Sequence, residues 1–417
     1  MATTMAPRPL RIGILGSGFI ANFHVQGFLS VRDAQISAVY SPTPAHREAL
    51  ARRANEMGLG PCTPYDSTQV LVESGEVDAV WILAPNDTRL EHMRTIAESV
   101  RSGRASLLGV ACEKPLARNL AEAREMLHLA EEAGLNHGYL ENQLFSTAVQ
   151  RGKEIIWRRA VPSSGRPYLA RAAEEHSGPH ALWFWQGERQ GGGVLLDMMC
   201  HSVEVARFLL TEPGKPRESV RVLSANASIA SLKWTRPEYV EQLRATMGQD
   251  VDYSQRPAED FARGTLVLEA EGGERLMIEV TTSWAYVGAG LRAQLELLGP
   301  EYAMEWNSLN TGLKIFLSRN VGGGEGEDLV EKQNAEQGLM PVVEDEAGLY
   351  GYVDENRHMV AAFRNGEPPM ETFHDGVAVM ELLMALYRSA EIEQTVQFPA
   401  PDLESYVPLV ARGEYRA

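Results

Sequence analysis

The chain has 417 residues, 44% hydrophobic and 23% charged, a composition that suits a globular protein with a sizeable core and, at ~150 residues per domain, two or three domains. Its formal net charge of −17 argues against nucleic acid or anionic membrane as a general partner, because both need clustered lysine and arginine. The cysteines Cys62, Cys112 and Cys200 are odd in number and show no C-x-x-C spacing, so reduced thiols are expected. The first residues carry no apolar core of signal-peptide length. No run approaches the ~18 apolar residues of a membrane span, which makes the cytoplasm the default location.

In chain order, LRIGILG (Leu10 to Gly16) reads as a strand and helical spacing follows from Phe19 to about Leu29. AQISAVY (Ala34 to Tyr40) is a second strand, followed by a helical pattern that Gly58 would cap. VDAVWILAP (Val77 to Pro85) and SLLGVACEKP (Ser106 to Pro115) are further strands, each leading into a helix, the second closed by Gly134. NHGYLENQ, from Asn136, is the next strand. Strands alternating with helices of ~10–15 residues predict βαβ units and a parallel sheet.

Beyond about residue 150 the pattern changes. RPYLARAAEEHS, RVLSANASIASLKW, ARGTLVLEAEGGERLMIEVTTSWA and LRAQLELLG follow one another with turn signals between them, which predicts an antiparallel sheet with one buried face. A Gly- and Glu-rich segment near residues 319–345 reads as a solvated loop or insertion. Helical periodicity returns in YVDENRHMVAAFRNG and DGVAVMELLMALYRSAEI.

GSGFIA, Gly16 to Ala21, fits G-x-G-x-x-G/A between a strand and a helix. Gly16 would turn the chain, Gly18 would let the backbone approach a pyrophosphate, and Ser17, Phe19 and Ile20 would lie at the unpaired N–H groups of the helix start. The acid that often ends the second strand and binds ribose hydroxyls is missing; Ser41 stands there, with no arginine directly after it, though His46 and Arg47 follow on the helix. The expected cofactor is NAD or NADP, the balance set slightly toward NAD.

CEKP closes the strand that ends at Pro115, and ligands of open parallel sheets bind outside such strand ends. Lys114 would therefore face the nicotinamide crevice, where a partly desolvated ammonium can hydrogen-bond a substrate hydroxyl. In GGGVLLDMMCH, Asp197 and His201 are four residues apart and share one face of a helix. A buried Asp–His pair can be mere structure. The glycine run, the suitability of imidazole for accepting an alcohol proton near neutral pH, and the upstream dinucleotide motif favour catalysis.

Taken together, GILGSGFIANFH, ILAPND, CEKPLA, GGGVLLDMMCH and FHDGVAVMELLMALYRSAE resemble, over nearly the whole chain and in the same order, the glucose–fructose oxidoreductase/inositol dehydrogenase/MocA family of sugar dehydrogenases. The resemblance implies an α/β protein: an N-terminal Rossmann domain, doubly wound on a parallel sheet, over 1–145, and a C-terminal α/β domain over 146–417. The latter carries a large open, mainly antiparallel sheet that often mediates homodimers or homotetramers, and part of the last helices pack back on the first domain. By position it makes His201 the base, Lys114 the cation that orients the hydroxyl and Asp197 a hydrogen-bond partner near the reacting carbon. Ala84, Pro85, Asn86, Glu113 and Asn142 would line the cofactor. Two departures stand out. Arg89 occupies a position where the family often has histidine, and YLENQLF replaces the usual Tyr/Phe–Arg pattern, so the family's roles do not carry over residue by residue to Glu141, Asn142 and Gln143.

EEHSGPHALWFWQ (Glu174 to Gln186) carries His176, His180, Trp183 and Trp185, the mixture of polar tips and aromatic faces that suits a sugar ring, although a packed loop over the sheet would look the same. His176, His180 and His201 could be combined as metal ligands, but the resemblance calls for no metal and none is expected. Cys112 and Cys200 read as packing residues. The leading reading is an NAD(P)-dependent dehydrogenase acting on a ring hydroxyl of a sugar, glycoside or cyclitol. A second keeps the nicotinamide bound and recycles it during a redox-neutral cleavage of a glycoside. A third, of another class, is a non-catalytic nucleotide-binding sensor.

Overall fold

A computed structural model of the chain describes residues 8–317 and 338–416. Most of the Gly- and Glu-rich segment therefore lies outside the described residues; its far end, Gly338–Pro341, is a strand paired with Lys314–Leu317. The chain divides into two compact units: residues up to Ala117 with Glu122–Asn142 and Gly351–Val377 form the first, and the remainder the second.

The first unit is built on six parallel strands, β1 (Leu10–Leu15), β2 (Ala34–Tyr40), β3 (Thr63–Tyr65), β4 (Ala79–Ile82), β5 (Gly109–Glu113) and β6 (Asn136–Leu140), in the order β3-β2-β1-β4-β5-β6. Helices α1 (Phe19–Phe28), α2 (Pro44–Glu56), α3 (Thr68–Glu73), α4 (Asn86–Arg101) and α5 (Leu120–Glu132) connect them. Every residue of β4 and β5 is buried, as central strands covered on both faces require. β3 escapes sequence reading because it is a three-residue edge strand with a proline at its centre. A later helix, Tyr352–Asn365, also belongs here. It lies close on the sheet because β5 and β6 carry glycines: a Cβ on Gly109 would meet the Phe363 ring at 2.7 Å, and one on Gly138 would meet Met359 Sδ at 2.5 Å.

The strand order reverses between β1 and β4, the position at which doubly wound sheets open a ligand crevice. The register decides what lines it. Leu15 pairs with Tyr40 and with Ile82, Ile82 with Cys112, and Glu113 with Leu140. Gly16, Ser41, Ala84, Lys114 and Glu141 consequently emerge along one carboxyl edge.

The second unit is a seven-stranded sheet in the order β12-β11-β7-β10-β9-β8-β15. Its strands are β7 (Leu169–Glu175), β8 (Val220–Ala230), β9 (Phe261–Ala270), β10 (Arg275–Ser283), β11 (Arg292–Gly299), β12 (Tyr302–Asn307) and β15 (Val396–Gln397), while β13 (Lys314–Leu317) and β14 (Gly338–Pro341) form a separate hairpin. The sheet is mainly antiparallel, as expected, with one parallel pair, β7 with β10. Strict burial alternation along β9 and β11 marks a sheet with one covered face. Its helices include α6 (Thr147–Ile155), α7 (Val194–Leu210) and α8 (Pro237–Thr246), and most of the helix Phe373–Ile392. All 17 residues of α7, which carries Asp197 and His201, are buried against the inner face.

Candidate active site

The carboxyl edge of the first unit holds the dinucleotide motif. Gly16 has φ +115°, and a Cβ there would strike the Leu83 carbonyl oxygen at 2.5 Å, so glycine is required twice over. Gly18 differs: no atom lies within 4 Å of the position a Cβ would take. Packing does not demand that glycine, and the open space would admit the close approach of a ligand. α1 starts at Gly18, which offers no side-chain cap, and a helix start of this kind suits an anion. Ser17 and Ile20 are half-buried and Phe19 exposed around this turn. These features fit a dinucleotide.

Ser41 is buried at the end of β2 and its carbonyl accepts a hydrogen bond from Arg47 Nη1 at 3.2 Å, while the other arm of Arg47 pairs with Asp66. Arg47 thus stands at the end of β2 although it follows Ser41 by six residues; His46 beside it is exposed. Ala84 and Asn86 are buried, Pro85 half-buried, and Asn142 buried just past β6.

Arg89 has a structural role. Its buried guanidinium donates to the carbonyls of Ala84 (2.8 Å), Glu113 (2.5 Å) and Pro115, and so ties the ends of β4 and β5 together. That clamp holds the backbone on both sides of half-buried Lys114, whose peptide bond to Pro115 is cis. Glu113 is buried and its Oε2 accepts the Lys114 N–H at 2.9 Å. Burial and the charges of Glu113, Glu141 and Glu371 push the wholly buried Glu355 carboxyl well above its usual range. In Glu113 itself, the penalty of burial is overcome by His24 and then by the charges of Lys114 and Arg89, which hold it below that range.

In the second unit, one face of α7 presents Asp197 and His201, 6% and 3% exposed. Trp284, just after β10, donates its indole N–H to Asp197 Oδ2 at 3.2 Å. Glu174, at the end of β7, places Oε2 3.9 Å from His201 Nε2. His176 is buried next along the chain, its Nδ1 accepting the Gly178 N–H at 3.0 Å. The pieces beyond it divide. Trp185 is buried in an aromatic cluster with Trp234, Tyr253 and Trp284, which is packing rather than a sugar platform. Trp183 is half-buried and stacks on Phe184 with ring centroids 3.8 Å apart, and His180 is exposed beside Phe184. Asp260 pins this wall by accepting the N–H groups of Leu232, Lys233 and Trp234 at 2.7–2.8 Å.

The glycine run lets other parts of the same chain approach closely. A Cβ on Gly191 would meet the Arg118 backbone at 2.7 Å, one on Gly192 the Tyr387 hydroxyl at 2.2 Å, and one on Gly193 Glu259 Oε2 at 2.3 Å. The close neighbours are the protein's own. Glu259 Oε1 accepts the N–H groups of Gly193 and Leu195, each at 3.1 Å, and the Tyr387 hydroxyl at 2.6 Å, so a buried carboxylate and a tyrosine cap α7 from outside the helix. Burial pushes Glu259 up to about 7 despite those hydrogen bonds. Cys112 and Cys200 are buried, and burial pushes the Cys112 thiol up to about 12, which makes it inert.

Glu174, Glu259, Trp284, Tyr387, His24 and Asn356 were not singled out from sequence. Their partners lie far along the chain, and no local spacing announces them.

Comparison with known proteins supplies the family. Residues 10–139 match the oxidoreductase family with an NAD-binding Rossmann fold, and residues 162–301 match the GFO/IDH/MocA C-terminal domain. The 1,5-anhydro-D-fructose reductase of Ensifer adhaerens is 34% identical over 214 residues, which are 51% of this chain and 59% of that protein. The D-glucoside 3-dehydrogenase of Escherichia coli strain K12 is 26% identical over 408 residues, 95% of this chain and 100% of that protein. Among solved structures, GenD2 from gentamicin A biosynthesis, in complex with NAD, superposes with a TM-score of 0.74 at 24% identity over 95% of this chain and 98% of its own. No helix among the described residues is long and apolar enough to cross a membrane. With both halves matched in one chain, the protein belongs to the GFO/IDH/MocA family of oxidoreductases and carries that family's NAD-binding Rossmann fold.

Proposed function

We propose that the chain oxidises a ring hydroxyl of a sugar, glycoside or cyclitol, with His201 taking the hydroxyl proton and Lys114 orienting the hydroxyl. The observation that carries the reading is the buried Asp197 and His201 on one face of α7, faced by Glu174 and Trp284, in a protein whose other unit is an NAD-binding fold. When bound, the nicotinamide supplies a hydride acceptor; every remaining task falls to side chains. The His201 imidazole accepts the proton that leaves as the C–H bond is broken, and Glu174 at 3.9 Å stabilises the resulting imidazolium. Asp197, fixed by the Trp284 indole, holds a neighbouring hydroxyl as an acceptor. Lys114, braced by the Arg89 clamp and by Glu113, donates to the reacting oxygen.

The full-length match to a D-glucoside 3-dehydrogenase favours glycosides within the class. The open face of the second unit supports a homo-oligomer: Met277, 40% exposed, stands in register with Val267 and Leu169, and Leu169 with Leu298, an apolar row across four strands.

The test incubates the purified protein with NAD+ or NADP+ and a panel of methyl glycosides and inositols, following reduced nicotinamide at 340 nm. The reading fails if nothing in the panel reduces the cofactor. Glycoside cleavage with copurifying nicotinamide and no net reduction would move the assignment to the cofactor-recycling chemistry instead.

A further inference from the structure

One cation of the second unit is half-buried in an aromatic corner. Lys233 stands in the turn after β8, with Nζ 4.4 Å from the centre of the Trp234 ring and 5.0 Å from that of Tyr239 on α8. Those two rings meet edge to face, their centroids 5.6 Å apart. Among the described residues, none forms a hydrogen bond or ion pair with the ammonium. The carboxylate that acts on it, Asp260, is wholly buried and spends its oxygens on the N–H groups of Leu232, Lys233 and Trp234. Burial holds the Lys233 ammonium below its usual range, against the pull of Asp260. The turn is also fixed from its other end, where Arg236 Nε donates to the Leu232 carbonyl at 3.1 Å. The corner is joined to the residues proposed to hold the ring. Trp234 donates its indole N–H to the Trp284 carbonyl at 2.7 Å, and Trp284 donates its own to Asp197 at 3.2 Å. Trp185 packs against both, 5.2 Å from Trp284 and 5.5 Å from Trp234 between ring centroids. Lys233 therefore lies two aromatic spacings along the wall from Asp197, where a substituent on the ring would reach it.

We propose that Lys233 is a specificity-determining residue: its ammonium, with Trp234 and Tyr239, forms a second position of the substrate site that takes a negatively charged group on the aglycone of a glycoside. That role rests on the reading that the sugar ring lies against Asp197 and His201. An anion suits the corner better than a neutral hydroxyl. A hydroxyl would leave the partly desolvated ammonium without a counter-charge, whereas a carboxylate forms a charge-assisted hydrogen bond with it and offsets the desolvation. The attraction has to be local, because a chain of net charge −17 repels an anion at long range. The rigid turn adds to it, since little freedom is lost when the ligand binds a cation already held in place. Lys233 would touch no reacting atom in this arrangement, so its contribution belongs to binding and leaves the chemical step alone.

Binding is read first, without turnover. Isothermal titration calorimetry of the full chain, saturated with NADH at low salt, compares 4-carboxyphenyl β-D-glucopyranoside with phenyl β-D-glucopyranoside. The carboxylate should tighten Kd about tenfold. That preference should fall to within about twofold in Lys233→Gln and survive in Lys233→Arg, whose guanidinium is charged and also stacks on aromatic faces. In the unaltered protein, salt raised to about 1 M should shrink the preference at least threefold, a result that depends on no variant folding. With NAD+, the same preference should appear in KM, while kcat for the two glucosides stays within about threefold. Equal affinity for both glucosides at low salt, a preference that salt leaves unchanged, or one that persists in a folded Lys233→Gln overturns the proposal. The two readings fail separately. If the phenyl glucoside is oxidised and the carboxylate brings no advantage, only the role of Lys233 falls. If Lys233 secures the charged glucoside but no glycoside reduces NAD+, the anion corner stands and the oxidation falls. If neither glucoside binds, both fall.

Discussion

Two glycine-rich helix starts in this chain look alike as sequence and differ as chemistry. α1 begins after Gly16-Ser17-Gly18 and α7 after Gly191-Gly192-Gly193. Neither has a capping side chain of its own. At α1 no atom lies within 4 Å of the position a Cβ on Gly18 would take. At α7 the same kind of space is filled by Tyr387 and Glu259, and the hydrogen-bond acceptor is already built into the fold. The difference teaches that glycine at a helix start reports close approach and leaves the identity of the visitor to whatever packs there. At α7 it is the carboxyl of Glu259, which holds the helix of Asp197 and His201; at α1 we propose a ligand's phosphate.

The largest effects should come from the two residues proposed to react. His201→Ala and Lys114→Ala are each expected to lower kcat by about 10²–10⁴ while leaving NADH binding, followed by fluorescence, within about threefold. Loss of cofactor binding in either variant would mean that the residue belongs to the wrong half of the comparison.

Next, the glycines should separate cleanly. Gly193→Ala drives a methyl into Glu259 and should cost ~1–3 kcal/mol, read as a fall in Tm of roughly 3–10 °C. Gly18→Ala meets nothing, so Tm should hold while NAD affinity weakens about tenfold. Equal destabilisation by both would erase the contrast.

The built-in carboxyl should also make stability depend on pH. Glu259 ionises near 4.5 in the unfolded chain and at about 7 in the fold, so the folded state binds a proton that the unfolded state has released. Its contribution is complete below pH 4.5 and is lost as pH rises through 7. Thermal melts should show Tm falling between pH 5 and 8, and Glu259→Gln should flatten that slope by up to ~3 kcal/mol in stability. A steeper slope in the variant would reverse the sign and sink the account.

The smallest effect belongs to the adenosine side of the α1 site. Arg47→Ala removes the guanidinium held at the Ser41 carbonyl and should lower kcat/KM with NADP+ about threefold more than with NAD+. An unchanged ratio would remove Arg47 from cofactor selection.

What could be read in the sequence was local. The turn from Gly16 to Ala21, the alternation of strands and helices, the position of Lys114 at a strand end and the shared face of Asp197 and His201 all follow from spacings of a few residues, because backbone periodicity fixes them. The reading stumbled where function depends on partners from distant segments. It saw the glycines and missed Tyr387, 194 residues from Gly193. It saw Asp197 and missed Trp284, 87 residues away. It treated Arg89 as a missing histidine when its guanidinium clamps the carbonyls on either side of Lys114.

The chain by itself therefore determined the family, the two kinds of sheet and the identity of the polar groups in the helix faces and strand ends. Tertiary structure decided which of those groups are charged, capped or held. His24 and Asn356 are 332 residues apart and meet only because the Tyr352–Asn365 helix returns to the first sheet. Strand order and register are cooperative properties of the whole fold, and burial, which sets the cost of every charge, exists only once they are in place.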